Sequence, residues 1–193
     1  MKREFLVALM MLNLLFTQCN SHKSVRSDFT EKGDFDNQGR RTGVWKKLSS
    51  NGNVIGETTY KNGLKNGASK SFFDDGKLYI DCLYKNDTLV GVFKMYFDNG
   101  TLNAHIERNM DGRSHGKVQV WHESGALSQS GFYTDGIMIG EWMSYHRNGK
   151  LRDYKLYDSL GRKKGKWVYL SDAGDTTNWE FYQNDQMIKS KGK

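Results

Sequence analysis

From Leu78 to Tyr84 every second residue is apolar or aromatic. Leu78, Ile80, Cys82 and Tyr84 share one parity, while Tyr79, Asp81 and Leu83 share the other. A period of two predicts a β-strand with two distinct faces. This strand begins just after Asp75-Gly76, and similar strands begin after Asn51-Gly52, Asn99-Gly100 and Asn148-Gly149. These dipeptides suit tight turns with positive φ, so each predicts a hairpin. Asn62-Gly63 and Asp135-Gly136 supply a second turn that passes the chain to the next hairpin. The strand entering each turn is less regular. Trp45 and Leu48 are an odd offset apart, as are Phe93 and Tyr96, which predicts a bulge or sharp bend in that strand.

Aligned on glycine, the whole stretch is one repeat of 24–25 residues. Leading glycines fall at Gly43, Gly67, Gly91, Gly116, Gly140 and Gly165. A second glycine follows nine residues after each, at Gly52, Gly76, Gly100, Gly125, Gly149 and Gly174. Eight residues further on stands Tyr60, Tyr84, Tyr133, Tyr157 or Tyr182, with Arg108 the exception. Trp45, Phe93, Trp142 and Trp167 lie two residues after a leading glycine, and Ser69 and Val118 take that place in two copies. Val54, Leu78, Leu102, Leu127 and Leu151 lie two after the second glycine, with Thr176 the exception. One hairpin cannot hide its own apolar face, so each copy depends on its neighbours. The expected fold is therefore all-β: an elongated antiparallel sheet of about six hairpins over residues 43–188. At about 4.8 Å per strand it is roughly 58 Å long. Residues 29–42, with Phe35 and Gly39, read as a degenerate half-copy that caps one end. The basic tail at 189–193, with Lys189, Lys191 and Lys193, reads as a guard on the other edge.

Composition narrows the alternatives. The chain has 193 residues, with 21 Gly, no Pro and 13% aromatics. That aromatic share is too high for a disordered chain. Collagen, a coiled coil and a helical bundle are excluded by the same numbers. The first stretch is read as an address. Lys2 and Arg3 precede an apolar run from Phe5 to Phe16 that is the size of a secretory signal core and short for a spanning helix. Cys19 then stands before the polar segment Asn20 to Ser24. This resembles a bacterial lipoprotein signal, although Phe16-Thr17-Gln18 departs from the usual lipobox. The resemblance implies removal of residues 1–18, acylation of Cys19 and a tether over 19–28. An ordinary secretory signal with an incidental cysteine is the alternative. Either reading places the mature protein outside the cytoplasm, in the cell envelope, periplasm or medium. Only Cys82 would remain besides Cys19, so no disulfide framework is expected.

The unit seen in Gly91-Val92-Phe93-Lys94-Met95-Tyr96-Phe97-Asp98-Asn99-Gly100-Thr101-Leu102, and again from Gly140 to Leu151, resembles the MORN repeat in its bacterial variant. The resemblance implies an elongated sheet of hairpins. It also implies the antitoxin label that many bacterial proteins of this type carry, and an attraction to phospholipid headgroups. It supplies no catalytic residue.

The residues themselves offer few sites. The Trp/Phe ladder reads first as the sheet's own packing, with a stacking platform for sugar or peptide as the alternative. The candidate binding surface comprises Trp121, Phe132, Trp142, Trp167 and Trp179. Basic residues at Arg40-Arg41, Lys46-Lys47 and Arg162 to Lys166 are candidates for anionic lipid headgroups, within a net charge of +7. Nucleic acid is not expected for an exported chain. Asp34 to Gly39 begins like a calcium loop, but Trp45 stands where a bidentate Glu is needed, so it reads as a turn. His105, His115, His122 and His146 read as unrelated positions, and Cys82 reads as a small core residue. No catalytic set, metal site or cofactor is expected. The leading expectation is a non-catalytic envelope protein that presents a long β surface to a protein partner. An antitoxin or immunity protein that masks a toxin, and a carbohydrate-binding module, are the alternatives.

Overall fold

A computed structural model describes residues 29–191. The signal, Cys19 and the tether lie outside the described residues, as do Gly192 and Lys193. Fourteen strands are present: β1 (Thr30–Phe35), β2 (Arg41–Leu48), β3 (Val54–Lys61), β4 (Leu64–Phe72), β5 (Leu78–Lys85), β6 (Thr88–Tyr96) and β7 (Leu102–Arg108), then β8 (Ser114–Trp121), β9 (Leu127–Thr134), β10 (Ile137–Tyr145), β11 (Leu151–Tyr157), β12 (Gly165–Leu170), β13 (Thr176–Gln183) and β14 (Gln186–Ser190). They form one antiparallel sheet in sequential order, so every strand pairs only with its neighbours in the chain. The all-β repeat expectation holds. Every contact that stabilises a copy is made within that copy or with the one beside it, as a repeat of this length requires.

Two turn geometries alternate with the strands. At the first turn of each copy, the Gly52 N–H donates to Ser49 O and the Ser49 N–H to Asn53 O, both at 2.9 Å. Only Gly52 has positive φ there, at 81°. The glycine of Asn51-Gly52 is thus the left-handed residue that closes a three-residue loop. The second turns are tighter. Asn62 and Gly63 have φ of 54° and 84°, and Asn86 and Asp87 of 47° and 64°, as a two-residue turn twisted with the strands demands. At Asn109 to Arg113 and Asp158 to Arg162 the second turn is instead the longer kind. That is why the spacings Gly91 to Gly116 and Gly140 to Gly165 are 25 residues while the others are 24.

The leading glycines are not turn residues. Thr58 and Tyr60, two apart on β3, pair with Ser69 and Lys65, four apart on β4. Gly67, with φ of 129°, lies in that bulge, and the same shift recurs at β5–β6, β7–β8 and β9–β10. The bulge expected between Trp45 and Leu48 is displaced. The register does shift there, but Lys47 pairs with Gly56 and Leu48 with Val54, so the extra residue, Ile55, is on the partner strand.

One face of the sheet carries the packed core. Trp45, Cys82, Phe93, Ile106, Val118, Trp142 and Trp167 are all buried, and they lie along a single row that crosses the strands. The repeated tyrosines flank it: Tyr133 meets Trp142 edge-on at 5.0 Å, and Tyr182 meets Trp167 at 4.8 Å. Close approach is built in at two points of the row. A Cβ on Gly131 would lie 2.2 Å from Trp142 Cδ2, and one on Gly33 would lie 2.5 Å from Trp45 Cγ. Each indole therefore lies directly on a glycine of the preceding strand, where its ring replaces the missing side chain.

Candidate interaction surface

Of the five aromatic residues that make up the candidate surface, the structure places two in the packed core. Trp142 and Trp167 are 4% and 5% exposed and belong to the core row. The Trp167 indole N–H also donates to Leu156 O at 3.0 Å, so its polar end is turned inward. Trp121 is half-buried and pairs with Leu127, as Phe72 pairs with Leu78 and Tyr96 with Leu102. It closes a turn. Phe132 and Trp179 lie on the face opposite the core.

That open face has a direction. One row runs Lys46, Glu57, Lys70, Asp81, Lys94 and His105, each directly across from the next. Opposite charges alternate along it, which favours each pair modestly, and Lys46 Nζ lies 3.6 Å from Glu57 Oε1. The same row then continues through Gln119, Ser130, Met143, Tyr154, Val168 and Trp179. Charge gives way to apolar surface. In the adjacent row Phe132 is 50% and Phe181 44% exposed, opposite Lys117 and Lys166 respectively. Trp179 lies between two ammonium groups, Lys166 Nζ at 5.4 Å and Lys189 Nζ at 5.9 Å from its ring. Lys189 thus lies over an aromatic ring as well as along the edge. Glu141, on the same face, accepts a hydrogen bond from the Tyr154 hydroxyl at 3.0 Å.

The basic clusters are largely engaged within the fold. Arg40 pairs with Asp36 at 2.8 Å, Arg41 with Glu31 at 2.6 Å and Arg162 with Asp158 at 2.7 Å. Asp36 accepts the backbone N–H groups of Gln38 and Arg40, so the calcium-like segment is a self-contained turn. Among the described residues no group of three His, Cys, Asp or Glu side chains converges as a metal site needs. Cys82 is buried, and burial pushes its thiol above the usual range. The histidines contain a correction: His122 and His146 hold the same repeat position, 24 residues apart. Each starts a first turn and donates from Nε2 to a carbonyl one copy further on, Tyr145 O at 3.2 Å and Leu170 O at 3.0 Å. They tie successive turns together.

Arg108 breaks the tyrosine pattern at a cost. Its guanidinium is half-buried on the packed face, and burial holds it below the usual arginine range. One nitrogen donates to Gly112 O at 2.8 Å, while Nε has no partner among the described residues.

The family described as MORN repeat variant matches residues 41–62, 65–86, 89–109 and 138–159. Each matched segment begins at or near the strand entering a copy and ends at or near its second turn, so the matched unit is the structural one. No curated protein matches the chain. The strands between and beyond the matched segments continue the same sheet with the same register shifts. The chain thus contains MORN repeats of the variant kind over these four segments, and the copies between and beyond them share their geometry.

Proposed function

We propose that this protein is a non-catalytic, envelope-associated scaffold whose open face docks a protein partner at its C-terminal end. Repeats of this class serve interaction with proteins and membranes. A long, regular sheet without a deep cleft suits contact better than chemistry. The observation that carries the reading is the apolar stretch of Met143, Tyr154, Val168 and Trp179, with Phe132 and Phe181 half exposed beside it. Aromatic side chains ringed by lysines are the composition of an interface core and its rim. The lysines around the patch favour a partner whose apolar residues are interspersed with carboxylates.

The address rests on the segment from Met1 to Cys19, and the mass of the mature N-terminus in fractionated cells tests it. An acylated Cys19 in the membrane fraction supports the envelope reading. An intact Met1 in the cytosol overturns it. The docking surface is tested by placing a photo-crosslinking side chain at position 132 or 181, and at 57 or 94 as controls on the charged end. Discrete adducts from the first pair alone are expected. Equal adducts from both ends, or none from either, refute the assignment.

A further inference from the structure

Five Asn-Gly pairs lie among the described residues, at Asn51, Asn62, Asn66, Asn99 and Asn148. Three of them close first turns on one backbone pattern. Gly52, Gly100 and Gly149 have φ of 81°, 83° and 80°, and their N–H groups donate to Ser49 O, Phe97 O and His146 O, each at 2.9 Å. The asparagine side chains before them differ. Asn99 is held at both ends of its amide: Nδ2 donates to Glu123 O at 3.1 Å, and Oδ1 accepts the Thr101 N–H at 2.8 Å. Asn148 is held alike, by Asp172 O at 2.9 Å and the Lys150 N–H at 3.0 Å. Asn51 is exposed, and its amide has no partner among the described residues. The N–H placed to reach its Oδ1, that of Asn53, donates instead to Ser49 Oγ at 3.2 Å. Ser49 stands where Phe97 and His146 begin the other two turns, and neither of those offers a hydroxyl. The remaining two pairs are also tied, Asn62 to Arg40 Nη2 at 3.1 Å and Asn66 to Asn86 Oδ1 at 2.8 Å.

We infer that Asn51 is a site of spontaneous covalent modification, the asparagine that converts to aspartate and isoaspartate ahead of the others in the folded chain. The Gly52 nitrogen gives up its proton to solvent base and attacks Asn51 Cγ. A bond forms between them, the Cγ–Nδ2 bond breaks, and ammonia leaves a cyclic imide behind. Water then opens the ring at either carbonyl. The attacking nitrogen is held by the same bond in all three turns, so it does not rank them. The amide under attack does. An amide fixed at Oδ1 and Nδ2 must break both hydrogen bonds before Cγ can turn to the glycine nitrogen, which slows the step about tenfold or more. The products alter the row of turns. By the register in which Asn99 reaches Glu123 and Asn148 reaches Asp172, position 51 neighbours Asp75. A carboxylate there gains a like-charged neighbour, and isoaspartate also adds a backbone atom to a loop that Gly52 closes.

The test is to hold the full chain folded at pH 8, and separately in urea, and to follow each Asn-Gly peptide by tandem mass spectrometry. In the folded chain Asn51 is expected to convert at least about tenfold faster than Asn99 and Asn148. In urea the three rates should converge. Conversion of Asn99 or Asn148 as fast as Asn51 in the folded chain overturns the assignment. A ranking that survives in urea also overturns it, because that ranking would belong to the neighbouring sequence. Ser49→Ala frees the Asn53 N–H to hold Asn51 Oδ1, so it should slow conversion of Asn51 several-fold and leave the other sites unchanged. An unchanged rate in a variant that melts with the wild type refutes the role of the held amide. If that variant melts earlier, the wild-type ranking decides.

Discussion

Alanine at Gly131 gives opposite results according to whether the indole really lies on the strand. Gly131 has no positive φ, so alanine adopts its backbone without strain. In an open strand that exchange would stabilise by about 0.5–1 kcal/mol, because glycine loses more conformational freedom on folding. The new methyl would lie 2.2 Å from Trp142 Cδ2 and 2.3 Å from Cε2, while carbon atoms rest about 3.5–4 Å apart. The ring must lift by more than about 1 Å, out of its edge-on contact with Tyr133. Overpacking of this kind costs about 1–3 kcal/mol, and complete loss of the indole from its site about 3–5. A net loss of about 1–3 kcal/mol is expected for Gly131→Ala. Gly56 is the control, since its nearest neighbours would be at 3.5 and 3.6 Å, ordinary contact, and its φ is also not positive. Gly56→Ala should be neutral or stabilising by a few tenths of a kcal/mol. Urea unfolding of both variants, followed by circular dichroism and by tryptophan emission, compares them directly. A red-shifted native emission is expected for Gly131→Ala only. Equal stability of the two variants would refute the packing argument.

Four other outcomes follow from the same geometry. Gly140 has φ of 64° and open space around it, so Gly140→Ala should cost only the left-handed backbone, about 1–2 kcal/mol, with Gly140→Asn milder in thermal melts. Arg108→Tyr restores the repeat residue and removes a half-buried guanidinium, so the unfolding midpoint should rise by the equivalent of about 1 kcal/mol; a fall would show that Arg108 is satisfied. The Cys82 thiol, raised by burial, should resist alkylation in the native chain at pH 8 and react fast in urea; native reaction at the rate of a free thiol contradicts its placement. Backbone N–H groups, chiefly those of Arg40 and Arg162, hold Asp36 and Asp158 below the usual carboxylate range. Such groups add stability above their unfolded pKa that is lost as pH falls through the folded value, so the midpoint should drop below about pH 4, and less so in Asp36→Asn with Asp158→Asn.

Much of the fold is legible because a repeat states each structural need six times. The second glycines and Asn62-Gly63 are explained by local backbone sterics, and sterics act on a few consecutive residues. The role of Gly131 is not local. It belongs to neither glycine register, and it faces Trp142 only because the register of β9 against β10 shifts between Ile139 and Met143. No spacing in the sequence announces a two-residue bulge. Other features were legible in principle. His122 and His146 share a register, and so do Phe72, Tyr96, Trp121 and Tyr145, which makes Trp121 a turn-closing residue. The gradient on the open face can be read down one column: Lys46, Lys70, Lys94, Gln119, Met143 and Val168. It becomes a surface only when strand pairing sets Glu57, Asp81, His105, Ser130, Tyr154 and Trp179 between them.

The two faces are under different constraints, and this is why sites arise where they do. Each copy is stabilised by its neighbours, so a weak copy lowers stability locally and does not dissolve the sheet. The packed row can therefore tolerate Thr58 against Ser69, because Trp45 on one side and Cys82 with Phe93 on the other remain buried. The open face contributes only modest pairwise contacts, so its residues can change from Lys94 and His105 to Val168 and Trp179 while each still lies directly across from its partner. What does restrain it is the aqueous cost of apolar surface. An exposed row of aromatics on an open sheet invites association, and the lysines set against Phe132, Trp179 and Phe181 keep that association selective by favouring partners that bring carboxylates.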